Sequence, residues 1–348
     1  MSIALITGSC GLIGSESVKF FLKKGFDVVG IDNNTRKKLF GLDGDISLVQ
    51  KQLNRDKHYY HKSINIINYS SLKAIFKNYG KQIQIIIHTA AQPSHEWAYQ
   101  NPILDFKINA EGTLNLLELF RKYSSAAKFV FTSTNKIYGD TPNHLKFLEK
   151  KYRYELKSSH KLYNGINEHM NIDNSTHGLF GVSKAYADLA VQEYGKNFGL
   201  NTVCFRGGCL TGPSHKGAKL HGFLSYLVKC AIKNKTYTIL GYKGKQVRDN
   251  IHSHDFINCI WEYYKKPIPG EVFNIGGTRF SNCSILEAVN LIETIIGKKM
   301  KIKFSKLQRT GDHQWYITNM KKFYKYYPNY KLTYSIKNIL EEIIEAAI

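Results

Sequence analysis

The sequence predicts an α/β protein built on a doubly wound parallel sheet with a smaller C-terminal α/β lobe. Three observations carry that expectation. Short apolar runs alternate with helix-spaced segments, a glycine-rich turn joins the first run to the first helix, and 43% of the 348 residues are hydrophobic, enough for a large core. Taken in order, residues 2–7 form an apolar run ending at a glycine, and helical spacing runs from Gly14 through SESVKFFLKK until Gly25 stops it. Residues 27–31 are a second run. A polar stretch covers 33–57; further apolar runs fall at 85–88 and 128–132, with helix-like segments near 70–79 and 103–123. Helical spacing returns over 180–194, and 202–205 is one more strand candidate. Strands separated by helices form βαβ units and hence pair in parallel. Past about residue 207 the elements become short and irregular, which suggests a second lobe, and a cleft between lobes is the expected ligand site.

Composition narrows the partners. Lys and Arg number 49 against 27 Asp and Glu, a formal charge of +22, but they are spread along the chain apart from short clusters such as RKK at 36–38 and KK at 298–299. That distribution reads as a solvated basic surface with a phosphate-bearing ligand, and no nucleic-acid partner is expected because no fingerprint accompanies the charge. The six cysteines show no CxxC spacing, and the start MSIALITGSC lacks a cationic leader. Free thiols and a cytoplasmic location are therefore expected. No apolar run approaches the roughly 20 residues of a membrane helix, so no membrane partner is expected, and no metal site either.

The stretch TGSCGLIGSE sets Gly8, Gly11 and Gly14 between a strand and a helix. Small residues there allow a tight turn, let backbone at Gly8, Gly11, Leu12, Ile13 and Gly14 reach a pyrophosphate, and let helix and strand pack closely. Asp32 ends the next run, roughly 20 residues on, where a carboxylate accepts hydrogen bonds from an adenosine ribose. The alternative is a turn cap. The Asp32 carboxylate would repel a 2′-phosphate, which favours NAD over NADP, although Arg36 and Lys37 keep the latter open; Asn33 and Arg36 beside it are further cofactor-binding candidates. A Rossmann-type NAD-binding domain is expected over 1–206, with later segments near 245–275 returning to it, and 207–348 is mainly a substrate-binding lobe.

Three further stretches, IIHTAAQPS at 86–94, FTSTNKIYGD at 131–140 and FGVSK at 180–184, together with the glycine turn, resemble the extended short-chain dehydrogenase/reductase family of nucleotide-sugar epimerases and dehydratases. RGGCLTGP at 206–213, GKQVRD at 244–249, NIGG at 274–277 and RTGD at 309–312 match in the same order, so the resemblance covers nearly the whole chain. Within the family the STNKIYGD, GKQVRD and NIGG stretches are most similar to the CDP-paratose 2-epimerase (CDP-tyvelose epimerase) group. The resemblance implies transient oxidation of a sugar hydroxyl with bound NAD on a nucleotide-diphosphate sugar, by a homodimer or homotetramer.

It also implies roles. Thr134, four residues before Tyr138, would bond the reacting sugar oxygen, and Thr132 would lie beside the cofactor. Lys184 would bond the nicotinamide ribose and lower the pKa of a nearby acid. That acid is ordinarily a tyrosine at the place of Phe180, which either packs the helix or marks a catalytic pair whose acid is missing. Replacement candidates are Lys184 itself, Cys209 if its pKa is lowered, and Tyr138; a buried packing role is the alternative for Cys209. Ala90, Ala91 and Gln92 would border the cofactor, Ser94 and His95 would face the sugar, and Asn109 would buttress the site. Ser63 and Ile64 stand where relatives hold adenine with Asp-Ile. Arg248 and Arg309 would clamp the diphosphate, and Asp312 would orient Arg309 or touch a ribose. Asn135-Lys136 replaces the Asp-Glu of the dehydratases, which disfavours elimination.

Overall fold

β1 (Ile3–Thr7) is buried along its whole length, and β2 (Asp27–Ile31) nearly so, because both lie inside a sheet covered on each face. The computed structural model describes residues 2–215, 222–307 and 311–348. After β1 come α1 (Leu12–Lys23), β2, β3 (Tyr59–Lys62), α2 (Tyr69–Tyr79), β4 (Ile83–His88), α3 (His95–Gln100), α4 (Pro102–Phe106), α5 (Gly112–Tyr123) and β5 (Lys128–Thr134). Later in the chain, α6 (Gly178–Phe198), β6 (Asn201–Gly207), α7 (Ser253–Lys265) and β7 (Glu271–Ile275) complete the layers. The seven parallel strands run in the order β7-β6-β5-β4-β1-β2-β3.

This is the doubly wound order, and its winding reverses between β1 and β4, where Thr7 pairs with His88. Ligands of such sheets bind beyond the carboxyl ends of the strands at that crevice. The core beneath it joins Leu5 and Val29 of the sheet to Phe76 of α2, Leu116 and Phe120 of α5 and Val191 of α6. Each such side chain stabilises the fold by roughly 1.5–3 kcal/mol.

Two local features differ from the expected elements. β3 arises inside a stretch read as polar, since an edge strand such as YYHK shows little apolar periodicity. The segment expected as one helix over 103–123 is α4, a π-turn at Lys107–Glu111 and α5. Asn109 occupies that turn, a placement common at functional sites.

The described chain divides into two compact units. One comprises residues 1–134, 179–206 and 257–273; the other comprises 135–178, 207–256 and 274–348. Residues 135–178 thus group with the second unit rather than with the N-terminal one, and of the stretch 245–275 only 257–273 joins the first. The cause is strand pairing. Val247–His252 pairs antiparallel with Asn282–Ser284 and parallel with Trp315–Tyr316 and Cys209–Thr211, all in the second unit. A separate core there packs the helices Phe223–Ile232, Ile285–Ile296 and Ile336–Glu345 through Leu227, Ala288, Ile292, Ile339 and Ile343. Among the described residues no helix is long and apolar enough to cross a membrane, and all six cysteines are free thiols.

Candidate active site

The glycine turn is shaped by contact with backbone. Gly8 has φ +67°, and a Cβ added to it would lie 2.8 Å from the amide nitrogen of Ala90. A Cβ on Gly14 would lie 1.9 Å from the carbonyl oxygen of Gly8. Both positions therefore admit only glycine. Gly11 stands at the N-cap of α1, where no side chain caps the helix and no acidic residue occupies the first turn. The first amides of α1, from Leu12 and Ile13 onward, thus lack intrahelical acceptors and favour an anion.

Asp32 lies just past β2, and its carboxylate accepts hydrogen bonds from the amides of Cys10 (3.1 Å) and Asn34 (3.0 Å). Burial pushes its pKa up, and those two amides oppose the rise. Asp32 acts electrostatically on Arg36, whose own pKa burial lowers, so the carboxylate carries its counter-charge with it. Lys37 pairs with Asp45 at 2.9 Å. Asn33 is turned to its own loop, accepting from Thr35. Ser63 and Ile64 follow β3; Ser63 is exposed, while Ile64 packs on the core. These groups suit a dinucleotide: a glycine cradle that a Cβ would fill, an open helix start and a carboxylate at the adjoining strand end.

Next to the cradle, Thr7, His88 and Thr113 form a buried chain, with His88 Nδ1 2.7 Å from the Thr7 hydroxyl and Nε2 2.9 Å from that of Thr113. Burial lowers the His88 pKa to about 3, so the ring is neutral. The loop after β4 is held by a second network. Gln92 donates to Asp105 and to the Ser94 carbonyl, its amide donates to Asn109, and Asn109 donates to the Ser183 hydroxyl at 3.1 Å. This ties residues 92–95 to α6 between Phe180 and Lys184. Ala90 meets the cradle from the same loop, its amide 3.3 Å from the Thr7 hydroxyl, with Ala91 next in the chain.

Lys184 is 4% exposed; its ammonium donates to the Thr132 carbonyl at 2.9 Å and lies 4.0 Å from the Phe131 ring centroid. Burial lowers its pKa to about 8, against the pull of Asp188, Cys204 and Asp105. The Thr132 hydroxyl donates to the His88 carbonyl, and Thr134 ends the strand on the same face two residues on. The structure thus brings Lys184 against the strand end that carries Thr134. Phe180 is 8% exposed and meets the His95 ring edge to face, with centroids 4.8 Å apart. It is a packing residue with no proton to offer.

Behind this face, Asp188 takes both branches of the Arg206 guanidinium (2.7 and 3.1 Å) and accepts from Ser133 at 2.5 Å. Neither Asp188, Arg206, His88 nor Ser183 is singled out by motif reading. The available signal was Asp188 four residues past Lys184, an acid on a buried helix face.

In the second unit, Arg248 pairs with Asp312 at 2.5 Å and also donates to the His313 and Val247 carbonyls. Asp312 therefore orients Arg248; Arg309, the other expected clamp, lies outside the described residues. Lys136 donates to the Gly311 carbonyl at 2.8 Å. Two expectations are corrected there. Burial raises the Cys209 thiol to about 11 although Arg248 and Lys136 oppose it, so its pKa is not lowered. Tyr138 is fully buried and donates its hydroxyl to Asn274, which removes it as a proton-transfer group.

A family model described as the NAD dependent epimerase/dehydratase family matches residues 4–276. The CDP-paratose 2-epimerase of Salmonella typhi is 33% identical over 326 residues, 91% of each chain. The UDP-glucuronate 4-epimerase of Thermodesulfobacterium geofontis is 28% identical over 309 residues, 87% of this chain and 84% of that one. Among solved structures, dTDP-glucose 4,6-dehydratase from Bacillus anthracis in complex with NAD superposes with a TM-score of 0.77 at 24% identity, covering 99% and 96% of the two chains. UDP-glucuronic acid 4-epimerase from Bacillus cereus, with UDP-glucuronic acid and NAD, gives 0.78 at 24% identity over 99% and 98%. At these identities the structural likeness establishes the shared fold.

Proposed function

The chain belongs to the NAD dependent epimerase/dehydratase family, with NAD as its cofactor, and on that premise we propose that it is a nucleotide-sugar 2-epimerase of the CDP-paratose type. The observation that carries this reading is the seating of the Lys184 ammonium against the strand end that bears Thr134, in the strand next to β4. Similarity to the Salmonella typhi enzyme over nearly the whole chain supports the sugar class. NAD held by these residues would supply reversible hydride acceptance at a sugar carbon.

The chain's own groups do the rest. Gly8, Gly11 and the start of α1 hold the pyrophosphate, Asp32 the adenosine ribose, and Lys184 the nicotinamide ribose. Thr134 donates to the reacting sugar oxygen, with Ser94 beside the sugar. Arg248, oriented by Asp312, meets the diphosphate with a planar fork of donors. Asn135-Lys136 following Thr134 offers no acid for a leaving hydroxide, which argues against dehydration.

The test is incubation of purified protein with NAD and a panel of CDP-, GDP- and UDP-sugars. Conversion of at least one sugar to its epimer is expected, and a panel left unchanged by NAD-bearing protein would end the reading. Phe180 favours a second reading, a binder of NAD and nucleotide sugars without turnover. Under it, wild type converts nothing and F180Y gains activity.

We further propose a homodimer or homotetramer. Ile103 (73% exposed), Val182, Tyr186 and Leu189 leave apolar surface on α4 and α6, where Phe106 and Tyr186 rings meet at 5.6 Å. Light scattering should report at least two chains. The double change Val182→Glu and Leu189→Glu is expected to yield monomers, and an unchanged mass would exclude this face.

A further inference from the structure

We propose that His95 is the catalytic residue that exchanges a proton with the reacting sugar hydroxyl. The inference rests on the epimerase reading above and supplies what that reading lacks, a group to take the hydroxyl proton. Oxidising a C–OH group breaks an O–H bond, and a positioned base must receive that proton and give it back when the carbonyl is reduced.

Among the described residues, four ionisable groups near this helix face, those of Lys184, His88, Asp105 and Asp188, are held by the contacts that follow. The Lys184 ammonium is held between the Thr132 carbonyl and the Phe131 ring, as a cation should be. His88 has both ring nitrogens within hydrogen-bond distance of threonine hydroxyls, those of Thr7 and Thr113, deep in the sheet. Asp105 accepts from Gln92 at 2.6 Å and from Asn109 at 3.1 Å. Asp188 is saturated by Arg206, Ser133 and Gln192. Phe180 carries no polar atom.

His95 differs in position and in access. It is half-buried, with Nδ1 shielded from solvent, and it lies edge to face on Phe180, which shares a helix face with Lys184 four residues on. Its backbone is fixed from two sides. Gln92 clasps Ser94 through Ser94 N (2.5 Å) and Ser94 O (2.8 Å), and the Ser94 hydroxyl caps the Trp97 amide at 3.2 Å. Gln92 in turn reaches α6 through Asn109 and Ser183. The imidazole at the start of α3 is therefore held against Phe180 of α6, the helix that presents Lys184, and such positioning is a requirement for proton transfer in a bound complex. An imidazole can both accept and donate a proton, which suits a group that must do each in turn.

In the forward step the sugar O–H bond breaks and its proton passes to the His95 imidazole. The C–H bond breaks with its electron pair leaving to the bound cofactor, and a carbonyl forms. In the return step the imidazolium gives its proton back to the carbonyl oxygen as the carbon regains hydrogen and electron pair on the opposite face. Charge and electrons balance over the cycle.

The experiment compares wild type with His95→Phe, which keeps the ring contact with Phe180 but cannot exchange a proton, and with His95→Ala. The substrate is whichever panel sugar wild type converts. Both variants should retain bound NAD and the wild-type melting temperature, while turnover falls about 10²- to 10⁴-fold. Added imidazole should restore part of the H95A rate and none of the H95F rate. Adding Phe180→Tyr to H95A should restore turnover by setting a phenol on the same helix face. H95F turning over within about threefold of wild type would overturn the proposal and leave the epimerase reading standing. So would an H95A variant that neither imidazole nor F180Y restores. Wild type converting nothing would remove both.

Discussion

Replacing Lys184 with methionine is expected to cut turnover about 10²- to 10⁴-fold while making the cofactor-free protein more stable near neutral pH. Both effects come from one placement. The ammonium is buried against Thr132 and Phe131, where loss of water lowers its pKa to about 8. In the unfolded chain a lysine keeps its proton up to about 10.4. Below about pH 8 both states are protonated and the folded state bears the full cost of the buried charge. Between about 8 and 10.4 the unfolded state binds more protons, so wild-type stability rises with pH across that window.

Methionine removes the cost and forfeits one hydrogen bond and one cation–π contact, leaving a net gain of roughly 1–2 kcal/mol at pH 7. Denaturant unfolding at pH 7 and pH 9.5 reads it. The advantage of K184M should shrink at the higher pH; a variant less stable than wild type at pH 7 would contradict the account.

Replacing Asp188 with alanine is expected to be the most destabilising single change at the site. The carboxylate is fully buried and meets Arg206, Ser133 and Gln192 at once. Its loss deprives the guanidinium of its buried counter-charge, which costs about 3–5 kcal/mol. Adding Arg206→Met should recover part of that loss, because a neutral side chain of similar length needs no partner. Urea unfolding of the single and double variants checks this. A loss below about 1 kcal/mol in D188A would mean that the pair does not hold β6 and α6 together.

The elements that carry the cofactor were legible because the signals were local. A glycine turn after an apolar run, with Asp32 at the next strand end, sets backbone geometry over a few dozen residues, and the structure shows why Gly8 and Gly14 tolerate no Cβ. Thr134 and Lys184 were singled out by their motifs, and the structure sets the Lys184 ammonium on the Thr132 carbonyl, two residues before Thr134. β3 was not, since an edge strand packs one face and shows weak periodicity. For Cys209 the sequence left an activated thiol and a buried packing residue open, because motif position says nothing of burial; burial raises its pKa and favours the packing role.

Hydrophobic spacing and turn chemistry by themselves determined the sheet and the glycine cradle, since period and glycine placement are properties of neighbours in the chain. Only the tertiary structure decided which side chains share a desolvated environment: Lys184 with the β5 end, Asp188 with Arg206, His95 with Phe180. These partners stand 52, 18 and 85 residues apart in sequence. The free energy of a charge or a proton depends on what surrounds it in space, and no local pattern encodes that.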